Sequence, residues 1–427
     1  MIGGDRYNAL LADVLDRIKT AQVPVADRDR VQSLIDDVVA SHQTECVRSG
    51  ATPLRTPETM VERLGRFVFE HGPLTAPLAD PDVSEIRVHA DRVEVVRGDG
   101  ISHELHDPTT AAEQAQLVRR LIDEASGRHD LTEETPLVAV GHSGFGGLRI
   151  TAVGPPVGPA GGVSAVIRKR SLRRFTLPEL ADRESLSRPA AVLLWALMQE
   201  RTRMLVSGAP FAGKSSLLAA LIEAIPRVRR TVVVEAPQEL PQAPTPIYLE
   251  AQEGVPGMGL SDVLTFSLTL SPWMTVIGEV KGAEAFSITR ASNRGTGFLA
   301  TLHANSAQEA LNTLVSASLP AAEARNLGVS DLKYLFGAQL QVIVQLDMHE
   351  NFGSSDTVRE VSEISTVHAD SSDVWVEPVF RRPGPGKPLQ IETSHPKLGE
   401  LGELIERRLP DGVTMQRIVE GGWSPWQ

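Results

Sequence analysis

One cysteine, Cys46, is all the sulfhydryl chemistry that 427 residues contain. A single thiol cannot close an internal disulfide or furnish a cysteine-rich zinc site, and it fits a reducing compartment. Long apolar runs are missing as well. The longest, Ala190 to Met198, is about half of what a membrane-spanning helix needs. The opening residues Gly3, Gly4, Asp5 and Arg6 carry no signal-peptide core. Basic residues are in deficit, 42 Lys and Arg against 54 Asp and Glu, for a formal net charge of −12. That excludes a protein whose whole surface grips nucleic-acid phosphates, though not a local basic patch. There is no internal repeat. These absences predict a soluble, cytoplasmic chain whose membrane contact runs only through partners or a surface.

Hydrophobic residues make up 41% and charged residues 22%, a globular balance that excludes wholly disordered and fibrous chains. At about 100–200 residues per domain, the length predicts two or three domains. Leu11, Val14, Leu15 and Ile18 share one helical face, and Val31, Leu34, Ile35, Val38 and Val39 repeat the pattern beyond Pro24. Residues 1–55 thus read as a helical N-terminal extension. Thr56 and Pro57 open a third helix, with Leu64, Phe67 and Val68 as its buried side. Residues 56–168 read as a smaller α+β domain. Ile86 and Val88, then Val93 and Val95, alternate with polar residues around the Gly98–Asp99–Gly100 turn. Leu117, Val118, Leu121 and Ile122 mark a helix ending near Gly127, and Leu148, Ile150 and Ala152 a further strand. A glycine-rich loop from Gly154 to Gly162 follows. The basic run Arg168 to Arg174 heads an interdomain linker, 169–185.

From residue 186 the grammar changes. Ala190–Gln199 reads as a helix, Met204–Ser207 as a short buried strand, and Ser215–Ile225 as a helix. Thr231–Glu235 and Thr275–Val280 read as strands. Alternation of this kind predicts an α/β domain over 186–390 with a parallel sheet covered on both faces. Residues 391–427 belong to a Gly- and Pro-rich stretch and read as a peripheral C-terminal tail.

The strongest motif is Gly208–Ala209–Pro210–Phe211–Ala212–Gly213–Lys214–Ser215, with Ser216 next. It satisfies the P-loop pattern G-x-x-x-x-G-K-[ST] between an apolar strand and the apolar helix of Leu217, Leu218, Leu221 and Ile222. Glycines let backbone N–H groups turn toward phosphate oxygens, and the new helix aims its positive end at them. Lys214 neutralises β/γ-phosphate charge, and the Ser215 hydroxyl is a ligand for Mg²⁺. Such a site needs an acid at the C-terminal end of a neighbouring strand. Glu279, after Val276–Ile277–Gly278, is one candidate, for the Mg²⁺ shell or for water. Glu235, after Val232–Val234, with Glu239 four residues on, is another. His303, in Thr301–Leu302–His303–Ala304–Asn305, reads by itself as a structural hydrogen-bonder.

The order of these segments resembles the type II/type IV secretion ATPase superfamily, in particular its CpaF-like branch for tight-adherence pili. Gly208–Ser215 is similar to its Walker A, Glu235/Glu239 to its Asp box, Gly278–Ala285 to its Walker B and Thr301–Ser306 to its His box. The first half agrees through Gly72–Pro73–Leu74, Asp80–Pro81, Glu85–Ile86, Gly147–Ile150, Pro155–Pro156 and Ile167–Lys169. The resemblance spans roughly residues 60–380. It implies a RecA-like ATPase domain, ATP and Mg²⁺ as ligands, and a hexamer. It further implies a station at the inner face of the cytoplasmic membrane with inner-membrane pilus or secretion platform proteins as partners. It implies that Arg149 and Arg168 reach the terminal phosphate. Read alone, Arg149 is a strand surface residue and Arg168 the first charge of a solvated linker. His303 becomes a phosphate sensor or part of the water network.

Several positions depart from that family. Glu235–Ala236 stands where an acidic pair is common. Ser267–Leu268–Thr269–Leu270–Ser271–Pro272–Trp273–Met274 replaces an arginine-rich stretch ending in Pro-Asp, and Gly295 replaces the first His of the His box. Two functions therefore compete: an ATP-hydrolysing motor for pilus assembly or protein secretion, and a degenerate nucleotide-binding regulatory subunit of such a machine. A nucleic-acid translocase ranks below both, because the chain is acidic and its basic runs are short; no nucleic-acid partner is expected.

Overall fold

The computed structural model describes all residues except Met1, 98–100, 106–109, 126–129, 143, 160–161, 170–174, 237, 253–254, 351–356, 372 and 427. The turn expected at Gly98–Gly100, the helix end at Gly127 and most of the basic run lie outside the described residues. The chain forms two compact units, Met1–Ser171 and Leu172–Gln427.

The first unit carries helices α1 (Ile2–Thr20), α2 (Arg28–Ser49), α3 (Pro57–Phe69), α4 (Thr75–Ala79) and α5 (Ala111–Asp123). Its strands are β1 (Val83–His89), β2 (Arg92–Arg97), β3 (Ser102–Glu104), β4 (Leu137–His142), β5 (Leu148–Val153) and β6 (Ser164–Lys169). They form one sheet in the order β3-β2-β1-β6-β5-β4 with every pair antiparallel. Such a sheet buries alternate residues on one face. Ile86, Val88, Ile150 and Ile167 are on that face, covered by Leu117 and Leu121 of α5. Thr56 does occupy the cap position of α3, with Pro57 at the first helical position, but its side chain makes no capping bond.

Residues 1–55 are not a separate extension. Tyr7, Leu10 and Val14 of α1 and Val31, Ile35 and Val38 of α2 join the same core as the sheet. The apolar stripe of each helix has no stable alternative to that cover. A buried polar clamp fixes the arrangement: Tyr7 donates to Glu113 Oε1 at 2.8 Å, and Arg63 pairs with Glu113 Oε2 at 2.9 Å. Burial, then the adjacent carboxylate, pushes the Tyr7 phenol far above its ordinary range.

The second unit carries α6 (Leu177–Asp182), α7 (Arg188–Met198), β7 (Arg203–Gly208), α8 (Lys214–Ala224), β8 (Thr231–Glu235), β9 (Ile247–Glu250), α9 (Leu260–Ser267), β10 (Met274–Ile277), α10 (Glu284–Asn293) and β11 (Gly297–Leu302). It continues with α11 (Ala307–Ser318), α12 (Val329–Gln339), β12 (Val342–Glu350), β13 (Thr357–Ala369), β14 (Val374–Arg381), β15 (Gln390–Ile391), α13 (Glu400–Glu406) and α14 (Met415–Val419). The linker expected over 169–185 is thus largely taken up: Lys169 ends β6, and α6 belongs to the second unit.

Nine strands run in the order β15-β14-β13-β12-β7-β11-β10-β8-β9. The six from β12 to β9 are parallel, and β13, β14 and β15 extend the sheet antiparallel. Along β7, Met204 and Val206 enter one core and Leu205 the other. Burial on both faces is why these strands read as short continuous apolar runs.

The tail 391–427 is not peripheral either. Leu401 and Ile405 of α13, with Met415, Ile418 and Val419 of α14, are buried in the core that holds α7. The surrounding glycines and prolines hid two short apolar stripes. Among the described residues, no helix is long and apolar enough to cross a membrane.

Candidate nucleotide site

β7 ends at Gly208, and α8 begins at Lys214, so the loop between them turns at the C-terminal edge of the parallel strands. Gly208 is packed against a neighbouring strand: a Cβ there would lie 2.5 Å from the Leu346 carbonyl oxygen. Gly213 has φ +95°, a left-handed value that suits glycine. It caps α8 with no side chain, so the first-turn amides have no capping oxygen to serve. These amides are the group that a phosphate oxygen satisfies. Phe211 is 66% exposed with φ +65°, a strained value for a bulky residue, and costs about 1–3 kcal/mol. Its carbonyl accepts a 2.8 Å bond from Arg359 Nε on β13, which braces the loop from outside.

Lys214 is 8% exposed. Its Nζ donates to the carbonyls of Gly208 and Ala209 at 2.9 and 2.7 Å, closing the loop on itself. Burial holds the ammonium below the ordinary lysine range, and the charge of Glu279 offsets part of that fall. The third neighbour of Nζ is His303 Nδ1, at 3.1 Å. The opposite ring nitrogen, Nε2, lies 2.5 Å from Glu279 Oε1. This pairing suits a neutral ring with Nε2–H toward the carboxylate and Nδ1 accepting from Lys214. Glu279 Oε2 also pairs with Lys281 at 2.7 Å.

The local backbone explains this convergence. β10 stops at Ile277, three residues before the strand end expected at Val280. Gly278 crosses the side chain of Glu235 so closely that a Cβ would sit 2.7 Å from Glu235 Cγ. Thr301 Oγ1 donates to the Gly278 carbonyl at 2.5 Å, and Val280 N to the Thr301 carbonyl at 2.8 Å. Glu279 therefore stands just beyond β10 and faces His303, just beyond β11.

Glu235 is buried at the end of β8. Its Oε1 accepts backbone N–H groups of Glu239 and Leu240, each at 3.0 Å, so this carboxylate holds the turn carrying half-buried Glu239. Ser215 and Ser216 lie half-buried in the first turn of α8.

Two supporting residues carried no expectation from sequence. Gln345, on β12 and 2% exposed, accepts from Ser207 Oγ at 2.5 Å and donates to the Ala304 carbonyl at 3.1 Å. It ties the strand before the phosphate loop to the segment after His303. A lone amide inside Val342–Val344 and Leu346 was the available signal. Arg359 is the other, and nothing in its neighbourhood marks it.

Arg149 and Arg168 belong to the first unit. They are directly paired across β5 and β6, and Arg168 is also in register with Glu85 on β1. Arg168 Nε binds Glu85 Oε2 at 2.7 Å, and Arg87 Nε binds Oε1 at 2.6 Å. Partial burial raises the Glu85 pKa, but the two arginines outweigh it and leave the carboxyl below its ordinary value.

A magnesium nucleotide fits the second-unit site on these observations: an uncapped helix start, a glycine cradle at Gly208, a buried ammonium and a half-buried hydroxyl, Ser215, in the first turn of the same helix. Among the described residues no group of three His, Cys, Asp or Glu could hold a metal alone.

Residues 149–346 match the family described as "Type II/IV secretion system protein". The type IV secretion system protein PtlH of Bordetella pertussis is 28% identical over 259 residues, 54% of this chain and 76% of that protein. A putative conjugal transfer protein of Mycobacterium tuberculosis is 34% identical over 205 residues, 45% of this chain and 57% of that protein. The solved structure of the Legionella pneumophila ATPase DotB shares the fold, with a TM-score of 0.51 at 15% identity over 71% of this chain and 81% of that one. With a phosphate loop, strand-end acids and a following histidine in the family's order, residues 149–346 carry a domain of the type II/type IV secretion ATPase superfamily.

Proposed function

We propose that the chain is an ATP-hydrolysing motor that powers pilus assembly or protein secretion, of the CpaF-like kind, with a RecA-like second unit. The observation that carries this reading is the continuous contact from Lys214 through His303 to Glu279. It joins a phosphate-charge neutraliser to a strand-end carboxylate through a group able to move a proton. In this reading the Gly208–Ser216 segment binds the phosphates, and Lys214 leaves the Gly208 and Ala209 carbonyls to meet them. Ser215 and Glu279 hold Mg²⁺, which when bound neutralises charge on the β- and γ-phosphates. Glu279 orients the attacking water, with Glu239 beside it on the turn that Glu235 holds. His303 registers whether Lys214 is engaged. Arg149 and Arg168 clamp the terminal phosphate as a guanidinium pair. The working form is a hexameric ring at the inner face of the cytoplasmic membrane, coupled to platform proteins there.

The test is steady-state phosphate release with Mg-ATP at several protein concentrations, for wild type and Lys214→Ala. Turnover that rises with concentration and vanishes in the variant supports the motor. ATP binding without Lys214-dependent turnover at any concentration leaves the second reading, a nucleotide-binding regulatory subunit with little hydrolysis. A specific observation favours that alternative: Glu235 accepts two backbone amides where the family commonly has an acidic pair, and Lys281 competes for Glu279.

A further inference from the structure

At the opposite end of β7 from the phosphate loop, the second unit holds a cavity of about 460 Å³. That volume lies in the range of pockets that take small organic ligands. Five steps of strand separate Arg203, on its wall, from Gly208, about 17 Å at the usual rise per residue.

The lining is cationic in a chain whose formal net charge is −12. Arg201, Arg203, Arg229 and Arg408 reach it from three different segments, against Glu200 and Glu400. Glu200 is already consumed by its pair with Arg408. Arg229 is held 5.2 Å from the ring centroid of Trp273, which fixes its guanidinium at the wall. Arg201 donates one bond to the Gly295 carbonyl at 3.1 Å and has further N–H groups to offer.

Arg203 is the telling residue. Burial, with no compensating acid, lowers its pKa. Among the described residues no carboxylate pairs with it. The comparably buried Arg382 shows what a structural arginine looks like here. It pairs with Glu360 at 3.3 Å and donates to the carbonyls of Val361, Glu184 and Ser185. A half-buried guanidinium without an anion is a costly arrangement for folding alone. Ser292, 8% exposed, lines the same cavity, and its Oγ has no hydrogen-bond partner.

We propose that this cavity binds a small molecule carrying at least two oxyanionic groups, phosphate or carboxylate, with Arg203 and Arg201 as its principal anchors and Ser292 as a further hydrogen-bonding group. Guanidinium forks suit either oxyanion by paired N–H donation. The site is distinct from the phosphate loop, so one chain carries two anion sites at the two ends of β7.

The test uses the full chain bearing Lys214→Ala, which removes competition from the phosphate loop. Pyrophosphate and citrate are titrated separately by calorimetry. The expected result is one-to-one binding of at least one probe, weakened about tenfold or more by Arg203→Gln, as for loss of a charge-assisted bond. Arg201→Gln, at an exposed side chain, gives the same direction without disturbing the core. Preference for pyrophosphate or for citrate identifies the oxyanion. Binding unchanged in both arginine variants, or no binding of either probe at millimolar concentration, overturns the proposal.

Discussion

His303 lies against Lys214, its Nδ1 3.1 Å from the ammonium nitrogen, while its other ring nitrogen faces Glu279. In the proposed mechanism the ring links the position of the lysine to the carboxylate. Replacing His303 with Ala, or Glu279 with Gln, should leave ATP binding within a few-fold of wild type and lower kcat by about 100-fold or more. Equilibrium binding and single-turnover hydrolysis, measured on the same preparations, separate the two effects. Equal losses in binding and turnover would count against the arrangement.

Lys214 gives a second, pH-dependent prediction. Its buried ammonium loses its proton below the ordinary value of 10.5. Phosphates favour the charged form, so at alkaline pH nucleotide binding should take up a proton, and affinity should fall as pH rises. Titration calorimetry in buffers of different ionisation enthalpy reads that proton directly. In Lys214→Arg the uptake should disappear.

Glu85 predicts the opposite sign at acid pH. Its carboxyl is depressed below 4.5 by Arg168 and Arg87. A depressed acid stabilises the fold above its unfolded value, and that contribution is lost as pH falls through the folded value. Glu85→Gln should thus lower stability at neutral pH, flatten the acid limb of the stability curve and converge on wild type at acid pH. Urea midpoints across the acid range measure this.

Gly208→Ala should destabilise the fold by about 1–3 kcal/mol, because its methyl meets the Leu346 carbonyl at 2.5 Å. Chemical denaturation gives the value, and nucleotide affinity should fall with it, since the same strand end carries the loop.

Ile405, fully buried, tests the C-terminal helices. Ile405→Ala should cost about 2–5 kcal/mol, the usual range for a large-to-small change in a packed core. A cost near zero in denaturation would mean that α13 is peripheral after all.

The phosphate loop and its flanking elements were legible because a local motif and a local apolar pattern coincide. β7 and α8 fall within a residue or two of their expected bounds. Leu64, Phe67 and Val68, the expected buried side of α3, are buried. The failures share a physical cause. Residues 1–55 and 391–427 looked separate because sequence shows that a helix has an apolar face but not what covers it. The hairpin from β12 to β14 drew no prediction, since long-range pairing leaves little trace in local periodicity. In the site, Lys214, Glu235, Glu279 and His303 were each visible by type. That Glu235 serves backbone amides, and that Gln345 bridges two strand ends, depend on contacts among distant segments. Arg149 and Arg168 were singled out only through resemblance, yet they prove to be cross-strand neighbours.

That pairing has a mechanical consequence. Two side chains rooted opposite each other on hydrogen-bonded strands have their bases set about 5 Å apart by the ladder itself. Arg149 and Arg168 are thus two tines of one fork, and their pitch belongs to the sheet, not to either residue. A side-chain substitution elsewhere in either strand leaves that spacing in place. An anion that meets one guanidinium is within reach of the other, and Arg168 must trade Glu85 for it.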